Sequence, residues 1–192
     1  MMTHKFDVKN KHKLDNQARR EMLPPEKTLI SLGLKSGDIM ADIGCGIGYF
    51  SIPAAKIVGK SGQVYAQDIS AEMLGEVDQK IIDNHIGNIE TIAADEHKLN
   101  LENSNITFAF ISTVLHELDD KDSMLDEIKG VLADKGRIAI VEWQKINSEF
   151  GPPMGHRLDK ADLMQRLAIH GFQKISAVDI SEHFYGITAY KN

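Results

Sequence analysis

The chain has 192 residues, 42% of them apolar and 26% charged, which fits one soluble globular domain large enough to build a proper core. A single cysteine excludes an internal disulfide framework and points to a reducing compartment, and no apolar run approaches the ~18 residues that a membrane helix needs. The net charge of −6 is unevenly placed: residues 1–20 hold six Lys/Arg against Asp7 and Asp15, so the remainder carries about −10 and suits a nucleic-acid backbone poorly.

The basic arm, residues 1–25, contains one helical stretch with Leu14, Ala18 and Met22 at i, i+4 and i+8 on one face. Its first twenty residues are too polar for a signal-peptide core, so the expected location is cytoplasmic. Pro24-Pro25 breaks the arm and opens a second helix, Glu26 to Gly33. Residues 26–192 form the rest of the single predicted domain. Strands are predicted near 38–43, 63–68, 89–93, 106–112, 136–142, 173–180 and 184–190. Helices are predicted near 50–58, 70–84, 119–133 and 159–170, with Pro53 tolerated in a first turn and Gly171 as a stop. Strands alternating with helices and closing on two consecutive strands predict an α/β fold, a mostly parallel sheet with an antiparallel edge hairpin.

The most informative stretch is Met40-Ala41-Asp42-Ile43-Gly44-Cys45-Gly46-Ile47-Gly48-Tyr49-Phe50, a strand, an acid, three glycines and a helix start. Glycines between a strand and a helix let a ligand press against bare backbone, where a Cβ would collide. The dinucleotide fingerprint G-x-G-x-x-G would need glycine where Tyr49 stands, and the pattern here is D-x-G-x-G-x-G. Asp68 ends the next strand, 20 residues past Gly48, where a carboxylate can accept from both ribose hydroxyls. Asp95 follows the third strand. Three acids at successive strand tips would face the crevice where open α/β sheets bind ligands; each taken alone is also explained as a helix cap. Cys45 lies within the loop with nothing nearby to lower its pKa, so no thiol chemistry is expected of it.

The D-x-G-x-G-x-G spacing resembles motif I of the class I S-adenosylmethionine (SAM)-dependent methyltransferases. Ile106-Thr107-Phe108-Ala109-Phe110-Ile111-Ser112 and Thr113-Val114-Leu115-His116-Glu117-Leu118 resemble motif IV and its successor in the small-molecule, UbiE-like (methyltransferase type 11) branch. Gly130 to Arg137, before Ile138-Ala139-Ile140-Val141, is similar to the turn into strand five, and the arm with Leu23-Pro24-Pro25-Glu26 to the helical lid of such relatives. The resemblance implies a Rossmann-like three-layer sandwich with strand order 3-2-1-4-5-7-6 and SAM as cofactor. It implies that Asp42 orients the loop and faces the methionine amino group, that Asp68 holds the ribose and that Asp95 meets the adenine amino group. The cofactor-binding set it implies is Asp42, Gly44, Cys45, Gly46, Gly48, Asp68, Ile69, Ala94, Asp95, Glu96 and Ser112. One departure stands out: many relatives carry an Asp at the start of strand four, where Thr107 stands here.

On the acceptor side, His116 lies four residues past Ser112, at the expected mouth of the site, and an imidazole titrates near neutrality. It is the expected proton acceptor and substrate contact; the alternative is a helix-terminus histidine bonded to backbone. Arg157, in the long connection after strand five, is placed either to clamp an anionic substrate or in a surface ion pair. Trp143 reads as core or pocket wall. No histidine pair has metal-ligand spacing, so no metal is expected. The absence of [D/N]-P-P-[Y/F/W] after strand four argues against amine methylation of adenine or glutamine, and the lone cysteine against m5C-type and arsenite chemistry. The expected activity is therefore methyl transfer from SAM to a small molecule, with no nucleic-acid or membrane partner. Two alternatives remain: a SAM-binding regulatory protein without catalysis, and an NAD-type oxidoreductase, which Tyr49 and the lack of Tyr-x-x-x-Lys disfavour.

Overall fold

In a computed structural model, described for residues 14–95, 98–101 and 105–192, the predicted alternation forms one seven-stranded sheet. Its strands are β1 (Ile39–Ile43), β2 (Gln63–Asp68), β3 (Ile89–Ala93), β4 (Ile106–Ser112), β5 (Leu132–Trp143), β6 (Gln173–Asp179) and β7 (Phe184–Tyr190). Their spatial order is β3-β2-β1-β4-β5-β7-β6, the order the resemblance implies. The first five strands are mutually parallel, and β7 runs antiparallel between β5 and β6. All five parallel strands therefore end at one edge, which is where the site is built.

The helices are α1 (Gln17–Met22), α2 (Pro25–Ser31), α3 (Ser51–Val58), α4 (Ala71–Asp83), α5 (Lys121–Val131) and α6 (Lys160–Ile169). Four of them start at a side chain that accepts the orphan amides of the first turn: Asn16, Ser70, Asp120 and Asp159. Such a cap is worth about 1 kcal/mol, which sets where each helix begins. α2 instead starts with Pro25 at its first position, where no donor is needed.

Strand periodicity sorts the core into two layers. On β4, Phe108 and Phe110 face α2 and α3, with the Phe50 ring 4.7 Å from that of Phe110. Ala109 and Ile111 face the opposite layer, made by Leu125 and Ile128 of α5 and Leu163 and Leu167 of α6. No helix lies between β3 and β4 among the described residues; Leu99 and Leu101 of that crossover fill the second layer instead.

One boundary differs from the sequence reading. The helix expected to reach 133 stops at Val131, and the strand expected from 136 begins at Leu132. Leu132 pairs with Ile106, then residues 133–136 turn out before Arg137 rejoins opposite Phe108. Gly136 makes this turn possible, because a Cβ there would stand 2.8 Å from the Ala133 carbonyl oxygen.

The Thr107 departure also has a structural account. At the sheet edge remote from the glycines, Asp38 is buried and accepts from Arg137 Nη2, from the Lys35 amide and from Thr107 Oγ1 at 3.0 Å. Thr107 Oγ1 in turn accepts the Ile39 amide at 2.9 Å. The hydroxyl ties the starts of β1 and β4 together around a carboxylate that comes from Asp38.

Candidate active site

The glycine loop leaves β1 through three residues in the left-handed region: Gly44 (φ 69°), Gly46 (φ 53°) and Gly48 (φ 78°). Each is also closely approached. A Cβ on Gly44 would stand 2.6 Å from Val114, on Gly48 3.2 Å from Val77, and on Gly46 3.2 Å from Leu14. Backbone conformation favours glycine at all three positions, and at Gly44 space does so as well. Among the described residues, only the arm's Leu14 stands within 4 Å of a Cβ placed on Gly46. Beside it, Arg19 lies over the Tyr49 ring at 5.0 Å, and the Tyr49 hydroxyl donates to the Leu23 carbonyl at 2.8 Å. The described part of the arm is therefore seated on the glycine loop, while residues 1–13 lie outside the described residues.

Asp68 organises the loop from the neighbouring strand. Its Oδ2 accepts the Gly46 amide and its Oδ1 the Ser70 amide, both at 2.9 Å. Helix capping is left to Ser70. Among the described residues one donor reaches each carboxylate oxygen, which leaves each a lone pair. Asp42, at 2% exposure, accepts from the Ser51 hydroxyl at 2.5 Å and so links β1 to the first residue of α3. Burial pushes its carboxyl up to about 7, with the Ser51 hydrogen bond opposing and the Asp68 charge adding to the shift. Cys45 donates to the Gly46 carbonyl, and burial pushes its thiol well above the usual range, so it is chemically quiet.

Other expected cofactor residues take varied positions. Ile69, next to Asp68, is an exposed apolar residue at 58% exposure. The Ala94 amide donates to the Asp68 carbonyl. Asp95 is exposed and pairs through its backbone with Lys98; Glu96 lies outside the described residues. Ser112, at the tip of β4, is buried, and its hydroxyl has no hydrogen-bond partner. An orphaned buried hydroxyl, bare glycine backbone and carboxylates with lone pairs to spare fit a ligand rich in hydroxyls and amines.

Beyond Ser112 the backbone turns sharply at Thr113 (φ 56°), and Val114 packs on Gly44. A short 3₁₀ turn, Leu115–Glu117, then brings His116 against the end of β5. Glu142 there is fully buried; its Oε1 accepts the His116 backbone amide at 3.2 Å and its Oε2 lies 2.8 Å from His116 Nδ1. Burial pulls the imidazole pKa down, but the hydrogen bond and charge of Glu142, with Glu117, outweigh it and raise it above the ordinary value; Lys121 opposes. The sequence reading singled out His116 and gave Glu142 no role. The same signal that flagged Asp42 and Asp68, an acid at the tip of a parallel strand, was present there.

Arg157 needs correction. It is neither an anion clamp nor a surface ion pair: it is buried at 4% exposure, and its guanidinium donates to the carbonyls of Gln144, Ile146, Phe150 and Pro152. Backbone acceptors take four of its five N–H donors, leaving no pair free for a bidentate hold on a substrate anion, and the residue shapes the β5–α6 connection from within. At the end of β5, Trp143 packs on Phe184, with ring centroids 4.1 Å apart.

Known proteins resemble this chain in sequence and in fold. Residues 40–136 match the model of a methyltransferase domain family. The chain belongs to the class I, SAM-dependent methyltransferases. A SAM-dependent methyltransferase from Aquifex aeolicus superposes with a TM-score of 0.92 at 30% identity, over 98% of this chain and all of that one. A ubiquinone/menaquinone biosynthesis C-methyltransferase UbiE from Cellvibrio japonicus is 34% identical over 123 residues, 64% of this chain and 49% of that protein. The chain thus spans about half the length of the curated relatives it matches. The [4+2]-cyclase SpnF shares the fold alone, with a TM-score of 0.71 at 16% identity over 96% of this chain and 81% of that one. Family membership removes the nicotinamide-dependent alternative. No helix among the described residues is long and apolar enough to cross a membrane.

Proposed function

We propose that this methyltransferase domain methylates a small molecule that reaches it at the ends of β4 and β5, where His116 takes the acceptor's proton. The observation that supports this reading is the buried His116–Glu142 pair, in the short turn that follows the residue packed on Gly44. When bound, SAM supplies an electrophilic methyl group whose bond to sulfur breaks with the electron pair returning to sulfur.

The chain's own residues then hold, orient and deprotonate. Gly44, Gly46 and Gly48 offer backbone without side chains, and Asp68, held by two amides, is positioned to accept from the ribose hydroxyls. Asp42 would face the methionine amino group, Ile69 and Asp95 the adenine, and Ser112 a polar atom near the β4 tip. The arm residues from Leu14 onwards cover the loop and exclude water. The acidic body disfavours nucleic acid as acceptor, and the cytoplasm is the proposed location.

Incubation with labelled SAM and a panel of phenols, amines, thiols and activated-carbon acceptors, quinols included, tests the reading. Label transfer to at least one small acceptor, lost in His116→Ala, is the expected result. Tight SAM binding with no transfer to any acceptor would identify a binding protein instead.

A further inference from the structure

The pair formed by His116 and Glu142 carries more information than a histidine at a strand end. We infer that Glu142 is the positioning residue that fixes His116 with its proton on Nδ1 and its bare Nε2 toward the acceptor, which suits acceptors of the phenol or enol class that arrive protonated. This rests on the reading of the β4–β5 end as the acceptor site.

Three observations build the inference. First, Glu142 has no exposure, and both its oxygens are used on one residue, the amide and the ring of His116. A carboxylate only accepts, so the 2.8 Å contact requires the hydrogen on Nδ1. Second, among the described residues the other ring nitrogen has no hydrogen-bond partner: Nε2 stands 3.9 Å from Glu117 Oε1, within ion-pair reach and beyond hydrogen-bond distance. Third, two contacts to one carboxylate, one of them through the backbone, lock both the turn and the ring, so the imidazole cannot rotate without breaking the pair. The groups facing the imidazole are Glu142 from β5, Glu117 from its own turn and Lys121 from α5. Two acids against one base favour proton uptake at Nε2, and the imidazolium formed is held by a buried counter-charge.

The step balances simply. The acceptor's O–H proton passes to Nε2, and the electron pair left on the acceptor, on oxygen or delocalised onto the conjugated carbon, forms the new bond to the methyl carbon. The proton then leaves His116 to water. A tertiary amine or a thioether has no proton to give and would make no use of the pair.

The test reads the imidazole directly. Nitrogen-15 NMR of the full chain across pH should show Nδ1 protonated and Nε2 bare at high pH, with a His116 titration above the ordinary value. Glu142→Gln should move that titration down by about one unit or more and mix the tautomers, with SAM affinity unchanged within twofold. Glu142→Asp, which keeps the charge and shortens the reach, should fall between the two and guards against a glutamine variant that does not fold. The rate limb for methylation of a simple phenol should shift down by the same amount in the folded variant. An imidazole that titrates identically with and without the Glu142 charge overturns the positioning role. If the imidazole answers to Glu142 but the wild-type rate has no matching limb, His116 is not the proton acceptor and the reading of the acceptor site fails instead. Turnover of a tertiary amine or thioether with none of any phenol or enol overturns the acceptor class.

Discussion

The two halves of the site are made of different material. The half on β1 and β2 is backbone: three glycines with positive φ, amides gripped by Asp68, and Asp42 pinned to Ser51. The half on β4 and β5 is side chain: an imidazole held by a buried carboxylate 26 residues away in sequence. A ligand common to a whole family can be held by main-chain geometry that tolerates drift in the surrounding residues. An acceptor particular to one member needs groups that substitution can change, so chemistry on that side is concentrated in few side chains.

The contrast is broken most severely on the backbone side. Gly46→Val puts a β-branched residue at φ 53° against Leu14 and into the space proposed for the ligand, and calorimetry should detect no SAM binding to the folded protein. Wild-type affinity in that variant would show that the loop is not the cradle.

On the side-chain side, His116→Ala should leave SAM affinity nearly unchanged while kcat falls by about 10²–10⁴-fold. The wild-type rate should climb with pH through a value above the ordinary imidazole range, because the raised pKa keeps the base protonated below it. The alanine variant should lose that limb. Equal losses of affinity and turnover would place His116 in the cofactor half.

A smaller effect separates gripping from contact. Asp68→Ala removes the acceptor for the Gly46 amide as well as that proposed for the ribose, and SAM binding should weaken by about 2–3 kcal/mol. Asp68→Asn, which retains one acceptor oxygen, should fall between the alanine variant and wild type. Titrations in which neither variant differs from wild type would remove Asp68 from the cofactor half.

The smallest effect concerns Asp42. Its folded pKa, about 7, lies above the unfolded value of about 4, so the stability it contributes is complete below pH ~4 and is lost as pH rises through ~7. Asp42→Asn should flatten that slope and leave the ligand-free protein more stable than wild type at pH 8, by on the order of 1–3 kcal/mol, while weakening SAM binding. Urea midpoints of the two proteins that track each other between pH 5 and pH 8 would show that Asp42 is ionised throughout.

Much of this was legible in the residues alone, because it depends on local rules. The strand–glycine–helix unit declares itself through the need for bare backbone, and Asp42 and Asp68 through their place at strand tips. Strand order followed from the family resemblance, whereas the capping roles of Asn16, Ser70, Asp120 and Asp159 appear only in the structure. The start of β5 was missed because pairing with Ile106 overrode the local helical pattern.

What only the tertiary structure decided is the partnership of side chains distant in sequence. Arg157 reads as a surface cation until four carbonyls of its own loop are seen to converge on it inside the protein. Leu14 reads as one apolar position in a basic arm until it is found against Gly46. Glu142 reads as the polar end of a strand until the sheet sets β5 beside β4 and the turn after Ser112 brings the His116 ring to it. A local pattern records which residue is available at a strand end; its partner is chosen by strand order, and strand order is settled by the burial of the whole sheet.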